Sequence, residues 1–182
     1  MHLTRVESKS STSVGNHSSK EGPSSNRGPF LYYPVTMHHV SSAEEMFDLG
    51  KQIGAQCKPG DQILLVGPLG AGKTLLAQGI GAALGIEGIT SPTFVIARNH
   101  AGQVPIVHVD LYRLLDSPNM SAAIEDLDLE VNADKSVTII EWASPEYSAL
   151  QADRLEITID RTTDLREVSI KPIGQRWSTF SL

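Results

Sequence analysis

The sequence predicts an α/β fold in which a mixed central sheet is flanked by helices, and three observations carry this prediction. Short apolar runs typical of buried strands alternate with segments of helical periodicity. One such run, Gln62–Val66, leads through a glycine-rich loop directly into a helical segment. Two later strand candidates, Phe94–Arg98 and Val104–Asp110, are separated by a loop short enough for an antiparallel hairpin. The sheet should therefore contain both parallel and antiparallel strands.

The beginning of the chain has a different composition from the rest. Residues 1–33 contain eight serines and almost no periodic apolar pattern. Such a segment cannot bury enough apolar surface to offset its loss of conformational entropy. We therefore expect a disordered extension over residues 1–33 and one domain over residues 34–182, because the chain is too short for two ordinary domains. A short organelle transit peptide is the alternative, but an arginine-rich amphipathic helix is missing.

The first half of the predicted domain has clear element boundaries. Overlapping Ser-x-x-Glu patterns within Ser41–Glu45 are capping boxes that predict a helix start. Gly85 is placed where a glycine typically ends a helix. The elements expected are a strand at Val35–His39, a helix from Ser42 to about Gln56, a buried strand at Gln62–Val66 and a helix from Lys73 to Leu84.

The second half alternates in the same way. A proline in the first turn favours the start of a helix, and Pro145 lies in such a position. Beyond the hairpin, the expected elements are partly helical structure from Leu111 to about Leu129 broken at Ser117–Asn119, a buried strand at Val137–Glu141, a short helix from Ser144 to about Leu150, and a closing pair of strands at Leu155–Asp160 and Glu167–Ile173.

The glycine-rich loop has the pattern G-x-x-x-x-G-K-T. Its glycines allow backbone N–H groups to converge on phosphate oxygens, and the following helix directs its positive end toward the same charge. Lys73 is expected to reach the β- and γ-phosphates, and the Thr74 hydroxyl to bind Mg²⁺. The motif predicts a nucleoside-triphosphate site on a P-loop NTPase fold, with a plain glycine-rich turn as the alternative. The candidate binding residues are Gly67, Pro68, Leu69, Gly70, Ala71, Gly72, Lys73 and Thr74.

Two carboxylates are candidates for the metal and the attacking water. Asp110 and Glu141 each end a predicted strand, so both are expected at the carboxyl edge of the sheet, close to the phosphates. One could hold the metal while the other orients the water, and the residues by themselves leave this assignment open. His108 is expected on the same face as Asp110. Thr93 follows the loop at about a helix's length, where nucleotide switches place a hydroxyl. The residues by themselves favour a simpler explanation for its segment, a proline-fixed turn before a strand.

Charge and cysteine content argue against direct binding of nucleic acid and against a fold held together by intramolecular disulfides. The net charge is −6, and the 148 residues after position 34 carry −8. Such a surface repels a phosphate backbone, so any nucleic acid should be held by a partner. The single cysteine, Cys57, fits a reducing compartment and is expected to be a small buried hydrophobe. No apolar run approaches the roughly 20 residues that a membrane-spanning helix needs.

Four segments together resemble the TsaE (YjeE) family of bacterial P-loop ATPases. They are Gly-Pro-Leu-Gly-Ala-Gly-Lys-Thr (67–74), Ser-Pro-Thr-Phe (91–94), His-Val-Asp-Leu-Tyr-Arg-Leu (108–114) and Ile-Glu-Trp (140–142). The resemblance implies Mg²⁺-dependent ATP binding and hydrolysis in the cytoplasmic machinery that makes N6-threonylcarbamoyladenosine at position 37 of tRNA. It further implies docking on the TsaB–TsaD complex, with tRNA reached only through these partners.

The resemblance also assigns roles to residues. It implies that Thr74 and Glu141 hold Mg²⁺, that Lys73, Asp110 and Glu141 are catalytic, and that Asp110 activates the water. Thr93 becomes a candidate for a switch contact with the nucleotide, and Trp142 a residue beside the site. Pro68 departs from the family pattern, which commonly has an acidic residue there, so a partner contact made by that side chain is in doubt.

Other classes of P-loop protein are alternatives to this interpretation. A small-molecule kinase shares the loop but usually needs an arginine-bearing lid, and the sequence between Leu114 and Lys135 contains no arginine. A GTPase would carry Asp-x-x-Gly and Asn-Lys-x-Asp motifs, which are missing. A nucleotide-dependent binding module with negligible hydrolysis remains open, because no arginine finger is evident. For the same reason we expect slow hydrolysis by the isolated chain and faster hydrolysis with its partners.

Overall fold

The structure is a computed structural model that describes residues 33–92, 95–115, 117, 119–129, 131, 133–150, 152–162 and 165–182. Of the segment expected to be disordered, all residues before Tyr33 lie outside this part of the chain. Thr93, the predicted switch residue, also lies outside it. Within the described ranges, no helix has the length and apolar character that crossing a membrane requires.

The described strands form one mixed sheet. Its order is β1-β7-β6-β2-β5-β4-β3. Strands β6, β2, β5 and β4 run parallel to one another, whereas β1, β7 and β3 pair antiparallel with their neighbours. This arrangement confirms the predicted mixed α/β sheet. The bounds are Thr36–Val40 (β1), Gln62–Val66 (β2), Ala97–His100 (β3), Ile106–Asp110 (β4), Val137–Glu141 (β5), Arg154–Asp160 (β6) and Arg166–Ile173 (β7).

Four α-helices and three short 3₁₀ turns complete the described elements. The hydroxyl of Ser42 accepts the Glu45 N–H at 3.1 Å, so the Ser42–Glu45 capping box is the one that forms. The Glu45 carboxylate reaches back to Ser41, whose backbone N–H and then hydroxyl hold the pKa of Glu45 below its usual value. The helices are Ala43–Gly54 (α1), Lys73–Ala83 (α2), Met120–Glu125 (α3) and Pro145–Leu150 (α4); the turns are Tyr112–Leu114, Ala133–Lys135 and Gln175–Trp177.

Helices α1 and α2 touch through glycines. A Cβ added at Gly50 would lie 2.3 Å from the Leu76 carbonyl oxygen, and one added at Gly79 would lie 2.1 Å from that of Phe47. Any larger residue would push the two helices apart. This contact fixes the axis of α2, and therefore the direction in which its first turn presents the glycine-rich loop.

The sheet buries apolar side chains on both faces. Leu65 and Ile139 pack in one core cluster with α1 and α2, whereas Leu64 and Ile140 pack in a second cluster with α4. Alternate residues of a strand point to opposite faces, so β2 and β5 are buried on both sides and have continuous apolar sequences. Their bounds agree with the predicted ones for this reason.

The prediction for the start of β3 is wrong. The strand was expected from Phe94, which lies outside the described residues, but it begins at Ala97. The N–H groups of Val95 and Ile96 both donate to the Pro92 carbonyl, and Ile96 has a φ of 66°. A strand cannot continue through this left-handed conformation, so β3 begins only after Ile96. The loop of the hairpin comprises residues 101–105.

Cys57 is half-buried rather than fully buried. Its thiol donates to the Ile53 carbonyl at 3.3 Å. Burial, and then the charge of Asp61, raise the pKa of the Cys57 thiol to about 12. The side chain is therefore neutral at ordinary pH and packs at the edge of the first core cluster, as a small hydrophobe would.

Candidate active site

The glycine-rich loop connects β2 to α2 in a conformation that needs its glycines. Gly67, Gly70 and Gly72 have φ values of 152°, 73° and 112°, which other residues rarely adopt. At Gly67 a Cβ would also lie 2.5 Å from the Ile159 carbonyl oxygen. The backbone thus curls over the first turn of α2, the arrangement that lets amide groups face a phosphate.

Lys73 spans the loop from the start of α2. Its ammonium donates to the Gly67 carbonyl at 2.8 Å and to the Pro68 carbonyl at 3.0 Å, and only 5% of the residue is exposed. Burial lowers the pKa of Lys73, while the nearby charges of Glu141 and Asp110 act to raise it. The two carbonyl groups hold the Lys73 side chain beside the loop, where its ammonium can bind phosphate oxygens.

Glu141 ends β5 beneath the first turn of α2. The Thr74 hydroxyl donates to its Oε1 at 2.9 Å and lies 3.3 Å from its Oε2. His108 Nε2 lies 2.9 Å from the same Oε1, and Glu141 is only 2% exposed. Hydroxyl and carboxylate oxygens are ligands that Mg²⁺ prefers. Thr74 and Glu141 therefore fit a magnesium ion that would also be bound by phosphate oxygens and water.

Asp110 ends the neighbouring strand, β4, directly opposite Glu141 in the pairing of the two strands. Its Oδ1 accepts the Tyr112 backbone N–H at 2.9 Å, and its Oδ2 accepts the Ser91 hydroxyl at 3.1 Å. The two predicted carboxylates thus lie side by side at the carboxyl edge of the sheet. Ser91 itself is thereby attached to the carboxylate pair.

Trp142 packs partly against the second core cluster and also faces the loop. Its ring centroid lies 3.7 Å from the Lys73 ammonium, and Tyr112 stacks against it with a centroid distance of 4.8 Å. The φ of Trp142 is 61°, a conformation that costs on the order of 1–3 kcal/mol in a residue other than glycine. The strained backbone places an aromatic face against the lysine, a contact that attracts the ammonium.

Arg161 is a loop contact that the sequence did not indicate. It follows β6, and its Nη1 donates to the Leu69 carbonyl at 3.2 Å. Strands β6 and β5 flank β2 on opposite sides, so Arg161 lies across the loop from the two carboxylates. Its sequence distance from the loop, 92 residues, explains why no motif could reveal the contact.

The loop, the carboxylates and the tryptophan line one open cavity of about 400 Å³. Its walls carry a cation, two carboxylates, hydroxyl groups and one aromatic ring. Among the residues that the structure describes, no group of three or more His, Cys, Asp or Glu side chains could hold a metal ion without help. Lys73 and the loop backbone make the cavity suited to an anionic ligand. Its lining is Leu69, Gly70, Ala71, Gly72, Lys73, Thr74, Leu75, Ser91, Asp110, Glu141 and Trp142.

Comparisons with known proteins indicate the same family as the four sequence segments do. Residues 40–168 match the family described as Threonylcarbamoyl adenosine biosynthesis protein TsaE. The chain is 42% identical over 143 residues to the tRNA threonylcarbamoyladenosine biosynthesis protein TsaE of Streptomyces coelicolor, covering 74% of this chain and 95% of that protein. It is 38% identical over 138 residues to the protein of the same name from Bacillus subtilis, covering 74% and 84% of the two chains.

A solved structure has the same fold. The crystal structure of Bacillus subtilis YdiB superposes with a TM-score of 0.64 at 31% sequence identity, and the match covers 81% of this chain and 90% of YdiB. The family match spans both the glycine-rich loop and the two carboxylates. On the extent of the family match and the identity to relatives covered over most of their length, the chain belongs to the TsaE family.

Proposed function

We propose that this protein is the ATP-binding and ATP-hydrolysing component of the machinery that makes N6-threonylcarbamoyladenosine in tRNA, and that it acts with TsaB and TsaD in the cytoplasm. The observation that carries the proposal is the hydrogen bond between Thr74 and Glu141 at the mouth of the loop. This bond joins the loop hydroxyl to a strand-end carboxylate, the pair that holds magnesium in P-loop NTPases. The names of the relatives supply the pathway.

Binding of the triphosphate would use the loop and Lys73. Backbone N–H groups of residues 67–74 and the N-terminal end of α2 supply positive potential without any mobile side chain. Lys73 is already held over the loop by two carbonyl groups, so little side-chain entropy remains to be lost when phosphate binds. Trp142 limits the access of water to the ammonium from one side.

Magnesium, when bound, would neutralise charge on the β- and γ-phosphates. Thr74 and Glu141 supply oxygen ligands for it, and both oxygens of Asp110 are already bonded to Tyr112 and Ser91. Asp110 is therefore fixed in orientation beside Glu141 and is the better candidate for accepting a hydrogen bond from the attacking water. This division of roles agrees with the one that the family resemblance implies.

The position of Arg161 agrees with slow hydrolysis by the isolated chain. Arg161 touches the loop from the side away from the carboxylates, where the γ-phosphate is not expected. A partner that supplies positive charge on the carboxylate side would stabilise the transition state. The negative charge of the chain after residue 34 also favours indirect contact with tRNA, through partners with basic surfaces.

Phosphate release from Mg-ATP, measured with and without purified TsaB and TsaD, tests the proposal. We expect slow release by the chain alone and at least about a tenfold increase with both partners, since a stabilising charge in the transition state is worth more than this. Fast release that the partners leave unchanged would contradict the proposal. Transfer of the γ-phosphate to a small hydroxyl compound would instead favour the small-molecule kinase.

A further inference from the structure

Oxygen Oε1 of Glu141 has two hydrogen-bond partners, and one of them is a histidine with no other function in the proposal above. We infer that His108 is a positioning residue that holds Oε1 of Glu141 and thereby directs Oε2 toward magnesium. This inference rests on the proposed Mg-nucleotide site. It concerns how the metal ligand is oriented, and it adds a residue to the site that the family motif does not assign to the metal.

The two carboxylate oxygens of Glu141 differ in their hydrogen bonds. Oε1 lies 2.9 Å from both the Thr74 hydroxyl and His108 Nε2, whereas Oε2 has only the longer, 3.3 Å contact with Thr74. A carboxylate only accepts hydrogen bonds, so Nε2 must carry the proton of the imidazole ring. With Oε1 held from two directions, Oε2 is the oxygen with spare capacity for a cation.

His108 is anchored by packing and by this one bond. It is fully buried in β4, and its Nδ1 has no hydrogen-bond partner in the part of the chain that the structure describes. The ring of His100 lies nearby, with its centroid 6.2 Å away and tilted by 40°. The Glu141 carboxylate therefore sets the direction of the imidazole, and the imidazole in turn fixes the carboxylate.

The histidine is also costly for the fold. A buried nitrogen without a partner loses its hydrogen bond to water on folding, a loss that an apolar side chain of similar size would avoid. The neighbouring strand supplies an apolar side chain here, because Ile139 lies opposite His108 in the strand pairing. Stability alone would therefore favour an apolar residue at this position, whereas orientation of Glu141 requires a donor.

The test replaces His108 by phenylalanine, which removes the donor, and by glutamine, whose amide can restore it. Calorimetry measures the affinity of each variant for ADP, once with magnesium and once in EDTA. The ratio of these two affinities reports how much magnesium strengthens nucleotide binding, and the measurement requires no hydrolysis. Loss of a group that orients a metal ligand typically costs tenfold or more in metal affinity. We expect His108→Phe to reduce this ratio by about tenfold while the affinity in EDTA is unchanged, and His108→Gln to recover most of the ratio.

His100→Phe is the matched control, because His100 is the neighbouring histidine and has no contact with Glu141 among the described interactions. It should leave the magnesium ratio unchanged. A wild-type ratio in His108→Phe, or an equal decrease in His100→Phe, would overturn the inference. Should His108→Phe fail to fold, as judged by its thermal melt, the magnesium ratio of His108→Gln decides. A ratio near that of the wild type supports a donor at this position, and a tenfold decrease overturns the inference. An absence of ATP hydrolysis in the wild type would contradict the proposed function but leave this test intact.

Discussion

Replacing Lys73 by alanine is expected to abolish ATP binding at ordinary nucleotide concentrations. The ammonium is buried beside the loop and oriented by two carbonyl groups, so it meets the phosphates already in place. Each hydrogen bond to a charged group contributes about 1.5–3 kcal/mol. Losing two such bonds between the ammonium and the phosphates should therefore weaken ATP binding by about a hundredfold or more. Calorimetric titration with Mg-ATP measures the change.

Lys51→Ala is a suitable control for this variant. Lys51 lies in α1, about half of its side chain is exposed, and its ion pair with Asp48 spans 3.8 Å. Exposed pairs of this kind contribute at most about 1 kcal/mol to stability, so the fold and the nucleotide affinity should both be retained. Unchanged ATP affinity in Lys73→Ala, with the variant folded, would show that the loop does not bind the phosphates.

The second large effect is expected at the carboxylates, where two substitutions should have different consequences. Glu141→Gln removes the charge beside Thr74, and Asp110→Asn removes the charge beside Ser91. Each should lower the rate of ATP hydrolysis by about a hundredfold, because each removes a preorganised charge from the reacting centre. Only Glu141→Gln should also raise the magnesium concentration that gives half-maximal hydrolysis.

Phosphate release measured over a magnesium titration, in the presence of TsaB and TsaD, separates the two roles. ATP affinity in EDTA should be similar in both variants and in the wild type. Full-rate hydrolysis by Asp110→Asn would remove its proposed role in orienting water. A raised magnesium requirement in Asp110→Asn but not in Glu141→Gln would exchange the two assignments.

Much of this site could be predicted because its parts are local in sequence. The loop is one continuous motif, and β2 and β5 are buried on both faces, so their apolar sequences mark their ends clearly. Placing Asp110 and Glu141 at the ends of parallel strands was sufficient to bring them to the same edge. In such a fold the strand ends, rather than the full chain path, decide where the chemistry can occur.

The remaining contacts depend on register and backbone strain, which local sequence does not encode. Alternation along β4 predicts that His108 shares a face with Asp110, but its contact with Glu141 requires the actual pairing of β4 with β5. The apolar Phe94–Ile96 run favours a strand, yet Ile96 adopts a left-handed conformation that ends any strand. Its carbonyl instead accepts the Asp110 N–H at 2.8 Å. Tertiary contacts at the site override the local preference there.

A crystal structure of the protein with magnesium and a non-hydrolysable ATP analogue would locate every group of the proposed site. We expect phosphates enclosed by the Gly67–Thr74 loop, with Lys73 against them and the metal bound by the Thr74 hydroxyl and the Glu141 carboxylate. Asp110 should face the γ-phosphate without touching the metal. Magnesium bound by Asp110 while Glu141 keeps its hydrogen bond to Thr74, or phosphates located outside the loop, would rule out the proposed nucleotide site.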